Sequence, residues 1–333
     1  MSRQTLAVYA AADDSYVPKA VMALRSFQRW HPDYSYYLLG TKAAMSQESL
    51  QFIRQFNIEL IDVDESHRFV KLEQYKYPYP LETVIKLKGP ELLAERGFLY
   101  SIVIDGDVFC ARPLELEGLL GRIEGYAGRV VGDLARTLGN KQKEQNEEFN
   151  FSLELVCKTL GIDEAALSTN YEVNGGVLLW NNMFMAKLGL FDRVTQVFRQ
   201  CRGCFEGGQD LMTFVAAAHN IPFTEVGDPY NFNFFEDSLR FDAVLQERIR
   251  MGQFHDIYIV HFVWCKPWLR QYRPSLVKMY FINAWRQFIV DELGETAYGL
   301  FDDLSIIQPV SFANRLWNRV LRVSRLVRCN LWK

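Results

Sequence analysis

Over its first 110 residues the chain alternates short apolar runs with amphipathic ones, and this alternation narrows the fold more than any other feature. TLAVYAAADD reads as a strand that ends in a loop at Asp13, Asp14 and Ser15. YVPKAVMALRSFQRW reads as a helix: Val17, Val21, Leu24 and Phe27 recur at helical spacing, and Pro18 suits a first turn. YSYYLLG is a second strand, SQESLQFIRQF a second helix capped by Ser46, and IELIDV a third strand. TVIKLKGPELLAERG is helical around a Gly-Pro interruption, and SIVIDGD is the next strand. The order predicts an α/β sandwich around a mainly parallel sheet. Ligands of such sheets bind beyond the carboxyl ends of the strands. Asp13 and the Asp105-Gly106-Asp107 turn both lie at such ends, so they can share one crevice although they are far apart in sequence.

Further along, RVVGDLA is a short strand and YEVNGGVLLWNN is a strand entered through a Gly pair. FMAKLGLFDRVTQVFRQC reads as one long helix, GGQDLMTFVAAAHN as a helix behind a Gly-Gly turn, and IYIVHFVWCKPW as a strand running into a polar loop. There is no internal repeat, no GxGxxG dinucleotide fingerprint and no P-loop. With 333 residues, 49% of them hydrophobic, the chain can bury a core in one large domain or two small ones. A net charge of −3 gives no bulk basicity, so nucleic acid is not an expected partner.

The six cysteines come with no secretory signal and no apolar run of membrane-spanning length, so reduced thiols in a cytoplasmic protein are expected. Cys201 and Cys204 form a lone CxxC, too little for a zinc site. Charge is unevenly spread: from Arg315 to Lys333 there are five arginines, one lysine and no acid. In that stretch Leu316, Val320, Val323 and Val327 follow helical spacing with Arg315, Arg319 and Arg322 opposite them. This describes a basic amphipathic helix for an anionic membrane surface, or else one docked on the protein's own acidic body.

Two like charges beside each other where a buried strand stops call for compensation. Asp105 and Asp107, at i and i+2 on a turn, can aim at one point, and hard oxygen ligands suit Mg²⁺ or Mn²⁺ held with substrate phosphates. The plainer reading is an aspartate-rich turn that caps backbone amides. His261, at the end of IYIV, and Lys266, on a Pro-stiffened loop, suit a third ligand and a phosphate partner, or else a core histidine and an exposed lysine. Asn174-Gly175-Gly176 suits a sugar hydroxyl, or a simple turn. Gln209 and Asp210 bring an amide and a carboxylate to a helix N-terminus, for chemistry or for capping.

Taken in order, AVYAAADDSY, TVIKLK, IDGDVF, NGGVLLWN, GGQD and HFVWCKPW resemble the family 8 glycosyltransferases. These are retaining enzymes of the A-type nucleotide-sugar transferase fold, among them glycogenin and the bacterial lipooligosaccharide galactosyltransferases. The resemblance runs over residues 5–270. It implies a single Rossmann-like mixed sheet flanked by helices: a transferase domain over residues 1–272, a helical extension over 273–310 and the basic tail over 311–333. It implies that Asp105, Asp107 and His261 ligate Mn²⁺, or Mg²⁺, on the diphosphate of a UDP-sugar. Asp13 and Tyr16 would hold the uracil, and Lys86 and Lys266 would contact phosphate or donor sugar. Asp133, Asn174 and Gly175 would line the sugar, and Gln209 would lie under the anomeric carbon with Asp210 beside it. The chain departs from the pattern at Gly208, where the family usually carries an Asp; here the acid follows the Gln, at Asp210.

The activity so implied is retaining transfer of galactose or glucose from a UDP-sugar to a hydroxyl of a glycan. With the basic tail, the acceptor is expected to be a lipid-linked or envelope glycan, such as lipopolysaccharide or capsule, at the cytoplasmic membrane face. The alternatives are a glycogenin-like or soluble-acceptor glucosyltransferase, and a sugar-nucleotide-binding scaffold that has lost catalysis. VIDGDV also fits the nucleophile motif of haloacid-dehalogenase-type phosphatases, which predicts phosphatase activity independent of UDP.

Overall fold

The computed structural model describes residues 6–63, 82–133, 157–158, 163, 171–201, 208–233, 257–263, 266–269 and 276–301. The chain divides into two compact units, one of Met1–Asn233 with His255–Val263 and one of Phe234–Phe254 with Trp264–Lys333.

The first unit is built on a seven-stranded sheet. Its strands are β1 (Leu6–Ala11), β2 (Ser35–Gly40), β3 (Glu59–Asp62), β4 (Tyr100–Ile104), β6 (Tyr126–Asp133), β7 (Tyr171–Asn181) and β8 (Phe223–Glu225), in the spatial order β3-β2-β1-β4-β7-β6-β8. β1 pairs in parallel with both β2 and β4, whereas β7 runs antiparallel to β4 and to β6. β1 and β4 are buried along almost their whole length, as expected of central strands covered on both faces. A smaller sheet, in the order β5-β10-β9, is made by β5 (Val108–Cys110), β9 (Phe232–Asn233) and β10 (Ile259–His261). These strands of two or three residues are too short to show a periodicity, and only β10 has a sequence signal.

Helices α1 (Val17–Gln28) and α2 (Gln47–Gln55) follow β1 and β2. Pro18 stands in the first turn of α1, and Ser46 caps α2 by accepting from the Ser49 N–H. Asp14 ties the first loop to that cap: its Oδ1 accepts from the Ser46 N–H at 2.8 Å and from the Ser46 hydroxyl at 2.9 Å. The Gly-Pro interruption appears as a change of helix type, with α3 (Glu82–Ile85) passing through a 3₁₀ turn (Lys86–Lys88) into α4 (Gly89–Glu95). A short α5 (Glu117–Leu120) precedes β6.

After β7 the structure corrects the expected single helix. Gly189, at φ 65°, ends α6 (Asn182–Leu188), and α7 (Leu190–Cys201) is a separate helix. A second correction concerns Gly175 and Gly176, which lie inside β7 rather than in a turn at its entry. Helix α8 (Gly208–Ala218) completes the cover, and Tyr9, Val103, Leu178, Trp180 and Phe214 belong to the core between sheet and helices.

In the second unit α9 (Leu276–Leu293) buries Phe281, Ile282, Trp285, Phe288 and Ile289, the i, i+3, i+4 stripe of a helix packed on one face. Trp285 packs against Trp268 and against Phe301, which follows α10 (Ala297–Leu300). Among the described residues no helix is long and apolar enough to cross a membrane. The basic stretch at 311–333 lies outside the described residues, as does the lone CxxC apart from the backbone of Cys201.

Candidate active site

The Asp105-Gly106-Asp107 turn is the seam between the two sheets. Asp105 makes the last rung of the large sheet, its N–H donating to the Gly176 carbonyl at 2.9 Å. The chain then turns and enters β5, which pairs antiparallel with β10 so that His261 faces Val108. The Phe262 N–H donates to the Asp107 carbonyl at 2.9 Å and extends that pairing by one step. This register carries His261 to the carboxylates: its Nε2 lies 3.4 Å from Asp107 Oδ1 and 3.9 Å from Asp105 Oδ2. One ligand atom from each of the three residues lies within 4.8 Å of the others. Two carboxylates and an imidazole nitrogen gathered in this way are a donor set that could hold a metal ion. Asp107 and His261 are buried and Asp105 is half-exposed, which leaves the cluster open on the Asp105 side.

Part of the charge compensation that the sequence demanded comes from the protein itself. Lys86 is buried, and its Nζ donates to Asp105 Oδ1 at 2.8 Å and to the Gly175 carbonyl at 2.9 Å. The 3₁₀ turn that carries it is held by the Tyr9 hydroxyl, which donates to the Lys86 carbonyl. Two like charges 4–5 Å apart repel by about 4 kcal/mol at an effective dielectric of about 20, and one lysine offsets one of them.

β7 brings the next layer. Alternate residues of a strand share a face, and Glu172, Asn174 and Gly176 are such a set. Asn174 Oδ1 accepts from the Gly176 N–H at 3.0 Å and from Asn231 Nδ2 at 2.9 Å, and lies 3.1 Å from His261 Nδ1. A Cβ on Gly176 would stand 1.9 Å from His261 Cε1, so this glycine is the space that the imidazole occupies. Gln209, in the first turn of α8, is fastened at both ends: Oε1 accepts from the Gly175 N–H at 2.8 Å, and Nε2 donates to Glu172 Oε1 at 2.7 Å.

Beyond β1, Asp13 caps a 3₁₀ turn (Asp14–Tyr16), its Oδ1 accepting from the Tyr16 N–H at 2.9 Å and the Ser15 hydroxyl at 2.7 Å. The Tyr16 ring fills the place where a Cβ on Gly106 would be, which brings the first loop against the aspartate turn. Burial, and then the charges of Asp107, Asp105 and Asp13, push the Tyr16 phenol well above its usual range, so it stays neutral.

The backbones of Asp133, which closes β6, and Asp210, in α8, are described, but their side chains lie outside the described ones. Lys266 belongs to the second unit, where the Leu269 N–H donates to its carbonyl. There the buried Arg286 pins the Pro267 and Leu269 carbonyls, at 2.9 Å and 3.0 Å. Sequence reasoning missed Glu172 and Asn231. The first could have been found from its strand alternation with Asn174. The second, in DPYNFN, carries no motif.

The first unit is a mixed α/β fold with a large, mostly parallel sheet flanked by helices, the A-type fold of nucleotide-sugar glycosyltransferases. Among solved structures the chain is similar to the galactosyltransferase LgtC in complex with donor and acceptor sugar analogues. That match has a TM-score of 0.59 at 17% identity and covers 88% of this chain and 99% of that one. It is also similar to the bifunctional glycosyltransferase WbbM, with a TM-score of 0.56 at 16% identity over 89% of this chain and 51% of that one. A third match is the glycosyltransferase GlyE of Streptococcus pneumoniae TIGR4, with a TM-score of 0.52 at 16% identity over 89% of this chain and 62% of that one. No protein-family model matches the chain, and no curated protein matches it in sequence.

Proposed function

We propose that the protein is a metal-dependent glycosyltransferase that moves a hexose, galactose or glucose, from a UDP-sugar to a glycan hydroxyl with retention at the anomeric carbon. The observation that carries this reading is the convergence of Asp105, Asp107 and His261 Nε2 at the carboxyl end of β4. That is where ligands bind on sheets of this kind, and the fold is shared with sugar transferases.

These three residues would hold the divalent ion, which when bound neutralises charge on the diphosphate as the bond to the sugar breaks. Tyr16, neutral and packed on the aspartate turn, would stack on the base, with Asp13, which accepts from the Tyr16 N–H, beside it. Lys86 keeps its proposed contact to phosphate or donor sugar, from an ammonium that also holds Asp105 and the Gly175 carbonyl. The Gln209 oxygen is engaged by the Gly175 N–H, which supports a role for Gln209 in orienting the sugar rather than attacking it. Attack by the acceptor on the face that UDP leaves fits that arrangement. Lys266 keeps its proposed contact to phosphate or donor sugar, Asp133 its proposed contact to the sugar, and Asp210 its proposed place beside Gln209 in the transfer step. A lipid-linked or envelope acceptor is proposed on the basic stretch from Arg315 to Lys333, which would associate with anionic lipid.

The test is hydrolysis of a panel of UDP-sugars with and without Mn²⁺. Release of UDP that depends on both the ion and one hexose supports the reading. Binding with no hydrolysis or transfer favours the scaffold, and phosphatase activity indifferent to UDP favours the phosphatase reading.

A further inference from the structure

We infer that Asn231 is a positioning residue for His261: with Asn174 it holds the imidazole as the Nδ1–H tautomer and so points the Nε2 lone pair at Asp105 and Asp107. The assignment follows from one unambiguous donor. The Gly176 backbone N–H can only donate, and it donates to the Asn174 side chain at 3.0 Å, which makes that atom the amide oxygen. The same oxygen lies 2.9 Å from the Asn231 side chain, so the Asn231 atom facing it is the amide nitrogen, and the Asn231 oxygen lies on the other side. His261 Nδ1 meets both oxygens, Asn174 Oδ1 at 3.1 Å and Asn231 Oδ1 at 3.2 Å. Neither can donate, so Nδ1 carries the proton. Nε2, 3.4 Å from Asp107 Oδ1, is therefore the nitrogen turned to the carboxylates and the one open to a metal, which would displace any proton it carries.

The site is built for this arrangement. Asn231 is 0% exposed and Asn174 is buried, so neither amide can exchange these bonds for water without cost. Asn231 follows a 3₁₀ turn (Asp228–Tyr230), and Arg129 of β6 clamps that turn. Its Nε pairs with Asp228 Oδ1 at 2.6 Å, and its Nη1 donates to the Asn231 carbonyl at 3.4 Å. β9 then pairs in parallel with β10, Asn233 beside His261, which fixes the height of Asn231 against the imidazole. Outer hydrogen bonds of this kind set the tautomer and orientation of a ligating histidine, and their loss costs about ten- to hundredfold in metal affinity.

This inference rests on the metal-dependent reading for its consequence but not for its geometry, so it is tested first on the metal-free full chain. Long-range ¹H–¹⁵N spectra of ¹⁵N-histidine-labelled protein, with His261 assigned from a His261→Gln spectrum, should show the Nδ1–H form. A spectrum in which Nδ1 carries no proton overturns the proposal whatever the variants do. Calorimetric titration with Mn²⁺ is the second measurement. Asn231→Leu should weaken binding about ten- to hundredfold, and Asn231→Asp, which keeps the acceptor toward Nδ1 but loses the donor to Asn174 Oδ1, should recover part of the loss. Wild-type affinity in Asn231→Leu overturns the proposal. If the wild-type protein binds no Mn²⁺, the metal-dependent reading fails, and the spectrum alone decides the role of Asn231.

Discussion

Gly176 and His261 can only be understood together. A methyl group on Gly176 would overlap the imidazole at 1.9 Å from Cε1 and 2.3 Å from Nδ1. The ring cannot move aside without leaving Asn174 and Asn231. Gly176→Ala should therefore destabilise the fold by about 1–3 kcal/mol, the usual cost of overpacking, and displace a ligand. Chemical denaturation together with a Mn²⁺ titration measures both. Gly118→Ala, in α5, is the control: a Cβ there meets nothing within 4 Å, so the change should not destabilise the fold and should leave the Mn²⁺ affinity unchanged. At Asp107 the expectation is different: the fold should persist while Mn²⁺-dependent hydrolysis falls. Asp107→Ala should lower turnover by about a hundredfold or more, the scale on which loss of one charge-stabilising group acts. Normal turnover in that variant would remove the carboxylate from the chemistry.

At the scale of elements, the site depends on how strands end. β4 delivers its carboxylates because the chain leaves the large sheet at Asp105 and re-pairs through β5 with β10. The far side of β5 is anchored near α1, where the Ser26 hydroxyl accepts from the Cys110 N–H and the Trp30 indole donates to the Cys110 carbonyl. Past the end of α1, His31 Nε2 accepts from the Leu114 N–H at 2.8 Å, and its ring stacks on Tyr34. Burial lowers the His31 pKa below its ordinary 6.5. The unfolded chain thus binds the proton more readily than the folded one, and the stability His31 contributes is present above about pH 6.5 and lost as pH falls from there towards the folded-state value. The stability difference between the wild-type protein and His31→Leu should shrink over that window in thermal melts. A difference that stays constant with pH would show that His31 has no titrating role. Gly189 acts in the opposite sense: its positive φ stops one helix before the next begins, a break that the apolar periodicity of residues 184–201 does not reveal.

For the whole molecule, the basic stretch from Arg315 to Lys333 makes its own prediction. Removing residues 313–333 should raise solubility and abolish co-sedimentation with anionic vesicles, to which each basic residue near the surface adds about 1 kcal/mol. Donor hydrolysis should be spared, and its loss would make the tail part of the catalytic body. Much of the fold was legible in the sequence. The order of strands and helices to residue 104, the Ser46 cap, and the arrival of Asp13 and Asp105 at strand ends all follow from periodicity and turn chemistry, which act over a few neighbouring residues. The site was legible only as a set of candidates. By itself the sequence determined the alternation that makes a mostly parallel sheet and the residues waiting at its rim. Only the tertiary structure decided that β5 pairs with β10, that Lys86 answers Asp105, and that Asn231 faces His261. Strands of two or three residues carry no pattern of their own, and their partners are chosen by hydrogen bonds across stretches of chain that local preference cannot reach.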